Sequence, residues 1–330
     1  AAGCAPAKVV PPAAPPALLP GGPLEHLPGA GLRFIVGGDP SRWLTDPTLA
    51  AEIDALLPRV RRDAFTATTA VDLARVTRGY AARYSLAEVH AAELAAADGA
   101  VADRLVERLS APAARESPHP ALERVVGVSS GRPFALLVAE RQFALVATGD
   151  PSLARIVELR LLGRLRRLVP VKESAGLRQL PPGVWRAPLF AAAPGPLDAE
   201  LGRAGRGLAA ASEAVALSVT PGPQGLDVEV LLAGVFRAED PTVLEGAWDD
   251  LAESGPGRLL GLDRPVVPRA ASLESFGLAL RLRLDPRPLL AGLRAAVVAE
   301  TQEILGIPGI FRAAPAGPGA ASSLPGAPER

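Results

Sequence analysis

One local pattern recurs along the chain: an apolar, strand-like run ends at Asp-Pro, and a helical pattern follows. It occurs at Asp39-Pro40, Asp150-Pro151, Asp240-Pro241 and Asp285-Pro286. Aspartate accepts hydrogen bonds from the free amides of a first helical turn, and proline there lacks the amide that would remain unpaired. The pattern therefore predicts that the four aspartates cap helices, which accounts for them without a metal.

The second half of the chain has the clearest order of predicted elements. They are strand 184–192, helix 197–211, strands 214–220 and 226–236, helix 241–253, strand 276–284 and helix 286–305. The two middle strands are separated by a turn rich in proline and glycine, which predicts a hairpin. Strand-helix-strand-strand-helix-strand is the order of the ferredoxin-like split motif. The expected fold class is therefore α+β.

The first half has a related order, which indicates an approximate internal duplication. Its predicted elements are strand 32–36, helices 49–57 and 71–84, strand 88–94, helix 99–109, strands 122–128, 134–139 and 143–147, and helix 152–168. We expect two ferredoxin-like modules, 32–180 and 184–312, with a boundary near 169–183. The segments 1–31 and 313–330 are rich in proline, alanine and glycine, and they are predicted to be a tether and a disordered tail.

Composition excludes several classes of function. The formal net charge is zero and aromatic residues make up 4% of the chain, so neither a basic field nor stacking platforms for nucleic acid are expected. With one cysteine in 330 residues, disulfides and multi-thiolate zinc sites are also excluded. No apolar run approaches the roughly 18–20 residues of a membrane-spanning helix.

That cysteine lies in Ala1-Ala2-Gly3-Cys4, directly before the predicted tether. These four residues resemble the end of the lipobox of bacterial lipoproteins, although Ala1 stands where leucine is usual. The resemblance implies that Cys4 carries diacyl lipid, including palmitate, that anchors the chain to a bilayer. Ala5 after the cysteine implies the outer membrane, with the facing side open. A tether of this length could extend up to roughly 80 Å at about 3.1 Å per residue. The alternative is a chance cysteine in a segment of small residues.

Candidate catalytic residues do not form a constellation. Gly127 to Gly131 matches G-x-S-x-G, but a nucleophilic Ser129 would need a following helix and a histidine farther along the chain. A strand pattern follows instead, and the last histidine is His119. With His26 and His90, it shows no metal-ligand spacing. We therefore predict a turn at Ser129, and neither catalytic residues, nor a metal, nor a cofactor.

The predicted helix 152–168 is basic on one side. Arg160, Arg164 and Arg167 stand at i, i+4 and i+7, and would share one face. Such a face can contact an anionic lipid surface. The more common arrangement is a helix that packs on a core and turns its charges to water, and we favour that interpretation.

These observations lead to two expectations of function. The first is a non-catalytic, lipid-anchored protein of the bacterial envelope that binds a protein partner or helps to assemble a complex. The alternative is a carrier that holds an acyl chain or another apolar ligand between its sheet and helices. A contiguous apolar cavity would favour the carrier, and an exposed apolar patch without a cavity would favour the assembly module.

Overall fold

Twelve strands within the described residues form one antiparallel sheet. The computed structural model describes residues 16–93, 103, 104, 107, 114–129, 131–140, 142–197 and 205–304. The strands are β1 (Leu32–Gly38), β2 (Arg78–Tyr84), β3 (Glu88–Glu93), β4 (Ala114–His119), β5 (Leu122–Ser129), β6 (Arg132–Ala139), β7 (Phe143–Thr148), β8 (Leu189–Pro194), β9 (Ala214–Gly222), β10 (Gly225–Ala233), β11 (Val267–Glu274) and β12 (Gly277–Leu284).

The strand order across the sheet is β11-β12-β10-β9-β8-β1-β2-β3-β7-β6-β5-β4. This order confirms the α+β class and corrects the ferredoxin-like arrangement. In that motif the third strand of a module lies between the first and the second, whereas here β8 pairs directly with β9 through Phe190 and Ser218. The two predicted modules also share the sheet, because β1 pairs with β8. The division of the chain into domains at 180 and 184 stays a prediction.

Helices lie on both faces of the sheet. They are α1 (Pro23–His26), α2 (Pro40–Thr45), α3 (Ala50–Leu56), α4 (Arg59–Thr69), α5 (Ser152–Leu161), α6 (Leu208–Ala211), α7 (Asp240–Glu253), α8 (Gly255–Leu259) and α9 (Pro286–Ile304). Short 3-10 helices span Leu73–Arg75, Val171–Glu173, Leu177–Gln179 and Val184–Arg186. Three predicted segments lie outside the described residues: most of the helix 99–109, the tail 313–330 and the first fifteen residues of the tether.

Successive residues of a strand point to opposite faces of a sheet, and the two faces differ here. On one face, which contains Ile35, Ala82 and Phe190, the side chains of the central strands are buried beneath α1, α5 and three of the 3-10 helices. Toward β11 the same face carries charged side chains, among them Asp227 and Arg283. We call this the sealed face. The other contains Phe34, Val36 and Ala81, whose side chains are half-buried or exposed. We call it the open face.

Helices α3, α7 and α9 cover the open face near β10 and β12, around Trp248 and Leu280. Near β5 and β6, that face carries a smaller cluster with Val125 and Leu136 at its centre. The apolar cover is therefore concentrated at the two ends of the open face.

The predicted helix 71–84 is wrong. Residues Leu73–Arg75 form one 3-10 turn, and β2 follows. Within β2, Tyr80, Ala82 and Tyr84 are buried on the sealed face. Residues i and i+4 share a face in a helix and also in a strand, so the two tyrosines did not distinguish the alternatives. Strands β4 and β11 were not predicted.

Three of the four predicted capping aspartates accept a hydrogen bond from an amide of the turn that follows. These bonds join Asp39 to Arg42 N at 3.0 Å, Asp150 to Ser152 N at 2.9 Å and Asp285 to Arg287 N at 2.9 Å. Asp240 is different, because α7 already includes it, and its carboxylate accepts from Arg237 N at 2.7 Å. The predicted capping role of Asp240 is therefore wrong: its side chain stabilises the turn before the helix.

Candidate functional site

An apolar cavity of about 380 Å³, largely open to solvent, lies on the open face between the central strands and helices α2 and α3. Its floor includes Val36 from β1 and Ala81 from β2, and its roof includes Trp43 and Ile53. Leu189 from β8 closes one side and is itself 37% exposed. The lining is almost wholly carbon, so the site favours an apolar ligand over a polar one.

The sheet register explains the shallow floor of this cavity. Val36 stands opposite Ala81, and Gly38 stands opposite Gly79, so small residues meet across β1 and β2. A Cβ atom at Gly79 would lie 3.6 Å from Cγ of Pro40, at ordinary contact distance. The absence of a side chain at Gly79 therefore leaves room between the strand and α2 that a larger residue would fill.

Local hydrogen bonds hold the roof in place. Helix α2 begins at the Asp39 cap, and the indole Nε1 of Trp43 donates to the carbonyl oxygen of Pro188 at 2.8 Å. That bond satisfies the polar end of the indole, whose ring lines the cavity. Helix α3 contributes Ile53, which also packs in the core beneath α7 and α9. The roof is thus anchored at both ends.

A second cavity of about 240 Å³ adjoins the first at Ala81. Its lining includes Phe34, which is 47% exposed, and the polar side chains of Arg83, Glu88 and His90. Arg83 Nη1 and Glu88 Oε1 form an ion pair across β2 and β3. We call the two cavities together the trough.

The trough differs chemically between its ends. Asp39 is the one charged side chain among the residues described around the first cavity, and its Oδ1 already accepts from Ser41 Oγ at 2.7 Å and Arg42 N at 3.0 Å. The end beside α2 is therefore apolar apart from a satisfied carboxylate. The end beside β3 combines an aromatic ring with charged groups that are partly open to water.

Tyr80 and Glu93 form a separate titratable pair on the sealed face. The Tyr80 hydroxyl donates to Glu93 Oε1 at 3.0 Å. Burial raises the pKa of both groups, and the hydrogen bond from Tyr80 partly opposes the rise at Glu93. Tyr84 donates to the carbonyl oxygen of Pro28 at 2.8 Å, and burial raises its pKa too. The Tyr80 bond joins β2 to β3, and the Tyr84 bond holds the segment after α1 on the sheet, so we assign both a structural role.

The predicted basic face does not form as expected. Helix α5 ends at Leu161, so Arg164 and Arg167 lie in the following loop and are exposed. Arg160 is half-buried, and its Nη1 lies 3.4 Å from the carbonyl oxygens of Leu165 and Arg166. Gly163, with φ at 69°, turns the chain where the helical pattern was expected to continue. Contact of the three arginines with an anionic surface stays a prediction.

Two other sequence-based expectations concern Ser129 and Cys4. Strand β5 ends at Ser129, which pairs with Arg132 of β6, so a hairpin follows it as predicted. The strand-turn-helix geometry of a hydrolase nucleophile is therefore not formed there. Cys4 lies outside the described residues, and its acylation stays a prediction.

The three histidines lie at separate places. His26 is buried and packs against Phe143, with ring centroids 5.8 Å apart. His119 Nε2 is 3.0 Å from the carbonyl oxygen of Pro16, and His90 lies in the trough. Among the described residues, no group of three or more histidine, cysteine, aspartate or glutamate side chains could hold a metal ion.

The trough was not predictable from local sequence patterns. Its residues come from strands β1, β2, β3 and β8 and from two helices, so no single motif contains them. The one sequence feature that indicates the trough is glycine within the strands, at Gly37-Gly38 and at Gly79. Glycine in a strand often marks a close approach of another segment or an unfilled position. Their pairing depends on the register, which element order alone did not supply.

The solved structures that are similar to this chain include three crystal forms. All are crystal structures of TP0453. Form III has a TM-score of 0.47 and 12% identity, and the match covers 83% of this chain and 98% of that one. Form IV has a TM-score of 0.46 and 10% identity, covering 82% and 96%. Form I has a TM-score of 0.41 and 10% identity, covering 80% and 94%.

No family model and no curated protein matches the chain. Within the described part of the chain, none of the helices is both long and apolar enough to cross a membrane.

Proposed function

We propose that this protein is a non-catalytic carrier that holds an acyl chain or another apolar ligand in the trough. The observation that carries the proposal is the apolar groove, open to solvent on one side, between the central strands and α2–α3. An apolar cavity was the feature expected to separate a carrier from an assembly module. Its volume of about 380 Å³ lies within the usual range for small-molecule sites, roughly 300–1,000 Å³.

The physical advantage of such a site is the removal of apolar surface from water. Each buried CH₂ group of a ligand contributes about 0.8 kcal/mol, so a chain of several methylenes gains enough to offset its loss of freedom. The trough also gains, because Phe34 and Leu189 are partly exposed when it is empty. Binding would thus cover apolar surface on both partners.

The test is titration of the full chain with dodecan-1-ol, a neutral single-chain probe, by isothermal titration calorimetry. Gly79→Leu places a side chain toward Pro40 and should lower affinity at least tenfold. Gly79→Ala is the matched control, because its Cβ would be 3.6 Å from the nearest Pro40 atom and should leave most of the trough open. Thermal melts of both variants check that the fold persists.

Saturable binding that Gly79→Leu removes and Gly79→Ala retains would support the carrier. Failure of the wild-type chain to bind dodecan-1-ol would refute it. Equal binding by a folded Gly79→Leu variant would place the apolar site elsewhere.

A second candidate function is the partner-binding module, and helix α4 favours it. None of the residues in α4 is buried, and Val60 and Phe65 are 78% and 42% exposed. Burial of these two apolar side chains against another protein would remove them from water. The test is cross-linking in the native envelope. A protein that is captured by wild type and lost from a folded Val60→Ser/Phe65→Ser variant would support the module, and unchanged capture would exclude α4 from it.

We also propose that acylated Cys4 attaches the protein to the bacterial envelope, at the outer membrane. The support is the lipobox-like sequence Ala2-Gly3-Cys4 before a proline-rich segment. Two acyl chains provide stable membrane attachment. A palmitate analogue should label wild type and leave Cys4→Ser unlabelled in cells, and equal labelling of the two would refute this attachment.

A further inference from the structure

The polar end of the trough has a defined composition. In the register of β2 and β3, Ala81 pairs with His90 and Arg83 pairs with Glu88, so these side chains share the open face. Phe34 pairs with Arg83 across β1 and β2 and borders the same cavity. A ligand that follows the apolar floor from α2 toward β3 therefore meets charged groups at that end.

Arg83 is suited to an additional anionic partner. A guanidinium has five N–H donors in a planar fork that matches a carboxylate. Within the described residues, the ion pair with Glu88 uses Nη1, and the Arg83 side chain is 49% exposed. The Nε and Nη2 donors leave capacity for a second carboxylate. A cationic ligand group, by contrast, would have to compete with Arg83 for Glu88, because these two side chains are already paired.

The opposite end disfavours an anionic group. Asp39 lies there, and its carboxylate would repel a second carboxylate across the apolar lining. From β8 to β3 the sheet has three inter-strand spacings, or about 14 Å at about 4.8 Å each. That span suits one extended chain lying across the strands.

We propose that the trough binds a single-chain fatty acid, with its hydrocarbon tail beneath Trp43 and its carboxylate at Arg83 beside His90. This inference rests on the proposed carrier function and adds the class and direction of the ligand. The carboxylate takes the free edge of the Arg83 fork, and Phe34 covers the first methylenes.

The first experiment is calorimetric titration of the full chain with dodecanoate and, separately, with dodecan-1-ol. Arg83→Gln should weaken dodecanoate about three- to tenfold, as expected for a charge-assisted bond that water partly screens. Glu88→Gln removes the competing carboxylate and should strengthen dodecanoate binding by a few-fold. Both variants should change dodecanoate affinity by a larger factor than dodecan-1-ol affinity, because only dodecanoate carries a charge at this end of the trough. Arg178→Gln, an exposed arginine on the 3-10 helix Leu177–Gln179, is the matched control and should change neither affinity.

The second experiment determines the direction of the chain. Bromine quenches tryptophan fluorescence at short range, so 12-bromododecanoate should quench Trp43 and 2-bromododecanoate should quench it weakly. A Trp43→Phe variant should lose the difference between the two probes. The reverse order of quenching would place the carboxylate beneath α2 and overturn the proposed direction.

The possible outcomes distinguish a failure of the fatty-acid proposal from a failure of the proposed carrier function. If the wild-type chain does not bind dodecan-1-ol, the proposed carrier function is refuted. Normal dodecan-1-ol binding with dodecanoate unaffected by Arg83→Gln would refute the carboxylate site and leave the carrier intact. Tighter binding of dodecyl phosphate than of dodecanoate, lost in Arg83→Gln, would overturn the assignment of a carboxylate in favour of a phosphate headgroup.

Discussion

Two neighbouring residues of β1 show how differently the sheet uses its faces. Ile35 is completely buried on the sealed face, whereas Val36 is half-buried at the floor of the trough. Both are β-branched, and both belong to one strand. The difference lies in what covers them.

On the sealed face, α1 and α5 bring Leu27, Val157 and Leu161 onto the strands, and each is fully buried. On the open face, α2 and α3 reach Gly38 and Gly79 but leave Phe34 and Ala81 partly exposed. The trough therefore follows from the positions of the helices. The open-face residues Val36 and Ala81 are as apolar as Ile35 and Ala82 on the sealed face.

The largest expected effect compares Ile35→Ala with Val36→Ala. Ile35→Ala creates a cavity in a close-packed core and should lower the free energy of unfolding by about 2–5 kcal/mol. Val36→Ala removes atoms that already border a cavity and should cost about 1 kcal/mol. Denaturant unfolding of the full chain measures both. Similar losses for the two variants would contradict the distinction between the faces.

The second expected effect is a pH dependence that belongs to the sealed face. His26 is 2% exposed, and its ring lies beside the backbone of Pro20 and Gly21. Burial lowers the pKa of His26 below its ordinary 6.5, the charge of Glu25 opposes this, and Arg160 reinforces it. The unfolded chain therefore binds the proton more readily, and stability should fall as the pH falls through 6.5.

A His26→Phe variant should lose part of this decline while keeping an aromatic ring against Phe143. Thermal melts between pH 7.5 and pH 5 would measure the change. His90→Gln is the matched control, because His90 is exposed on the open face and should leave the profile unchanged. Equal effects of the two variants would show that His26 is not the responsible group.

The smallest expected effect concerns the roof of the trough. Asp39→Ala removes the cap of α2, and Asp285→Ala removes the equivalent bond at α9. Each should lower the free energy of unfolding by about 0.5–2 kcal/mol. Asp39→Ala alone should also weaken dodecan-1-ol binding, because α2 carries Trp43. Calorimetry on both variants would test this, and equal weakening by Asp285→Ala would contradict a local effect.

Local chemistry predicted much of the fold. The Asp-Pro signals predicted the starts of α2 and α9, and the apolar alternation predicted β1, β5, β6, β7 and β12 within a few residues. Strand order was not predictable in this way, because the element order of a split motif is compatible with a meander. The pairing of β8 with β9 depends on contacts between distant parts of the chain.

The candidate site was less predictable than the fold. Val36 and Ala81 have the same apolar character as core residues, and only the placement of α2 and α3 leaves them beside a cavity. Arg83 and His90 meet through the register of β2 and β3, although their separation in sequence gives no recognisable motif. Helix α5 is also shorter than the predicted helix 152–168, because the chain turns at Gly163. Arg164 and Arg167 therefore lie beyond the helix and not on the predicted basic face.

The most direct test of the open face as the ligand site uses two tryptophans on opposite sides of the sheet. Trp43 lines the trough, whereas Trp185 packs edge-on against Phe190 on the sealed face, with ring centroids 5.4 Å apart. The measurement is fluorescence quenching by 12-bromododecan-1-ol in Trp43→Phe and Trp185→Phe, with Trp248 as a constant background. We predict saturable quenching that persists in Trp185→Phe and is lost in Trp43→Phe. Quenching that persists in Trp43→Phe and is lost in Trp185→Phe would place the ligand on the sealed face and contradict the account.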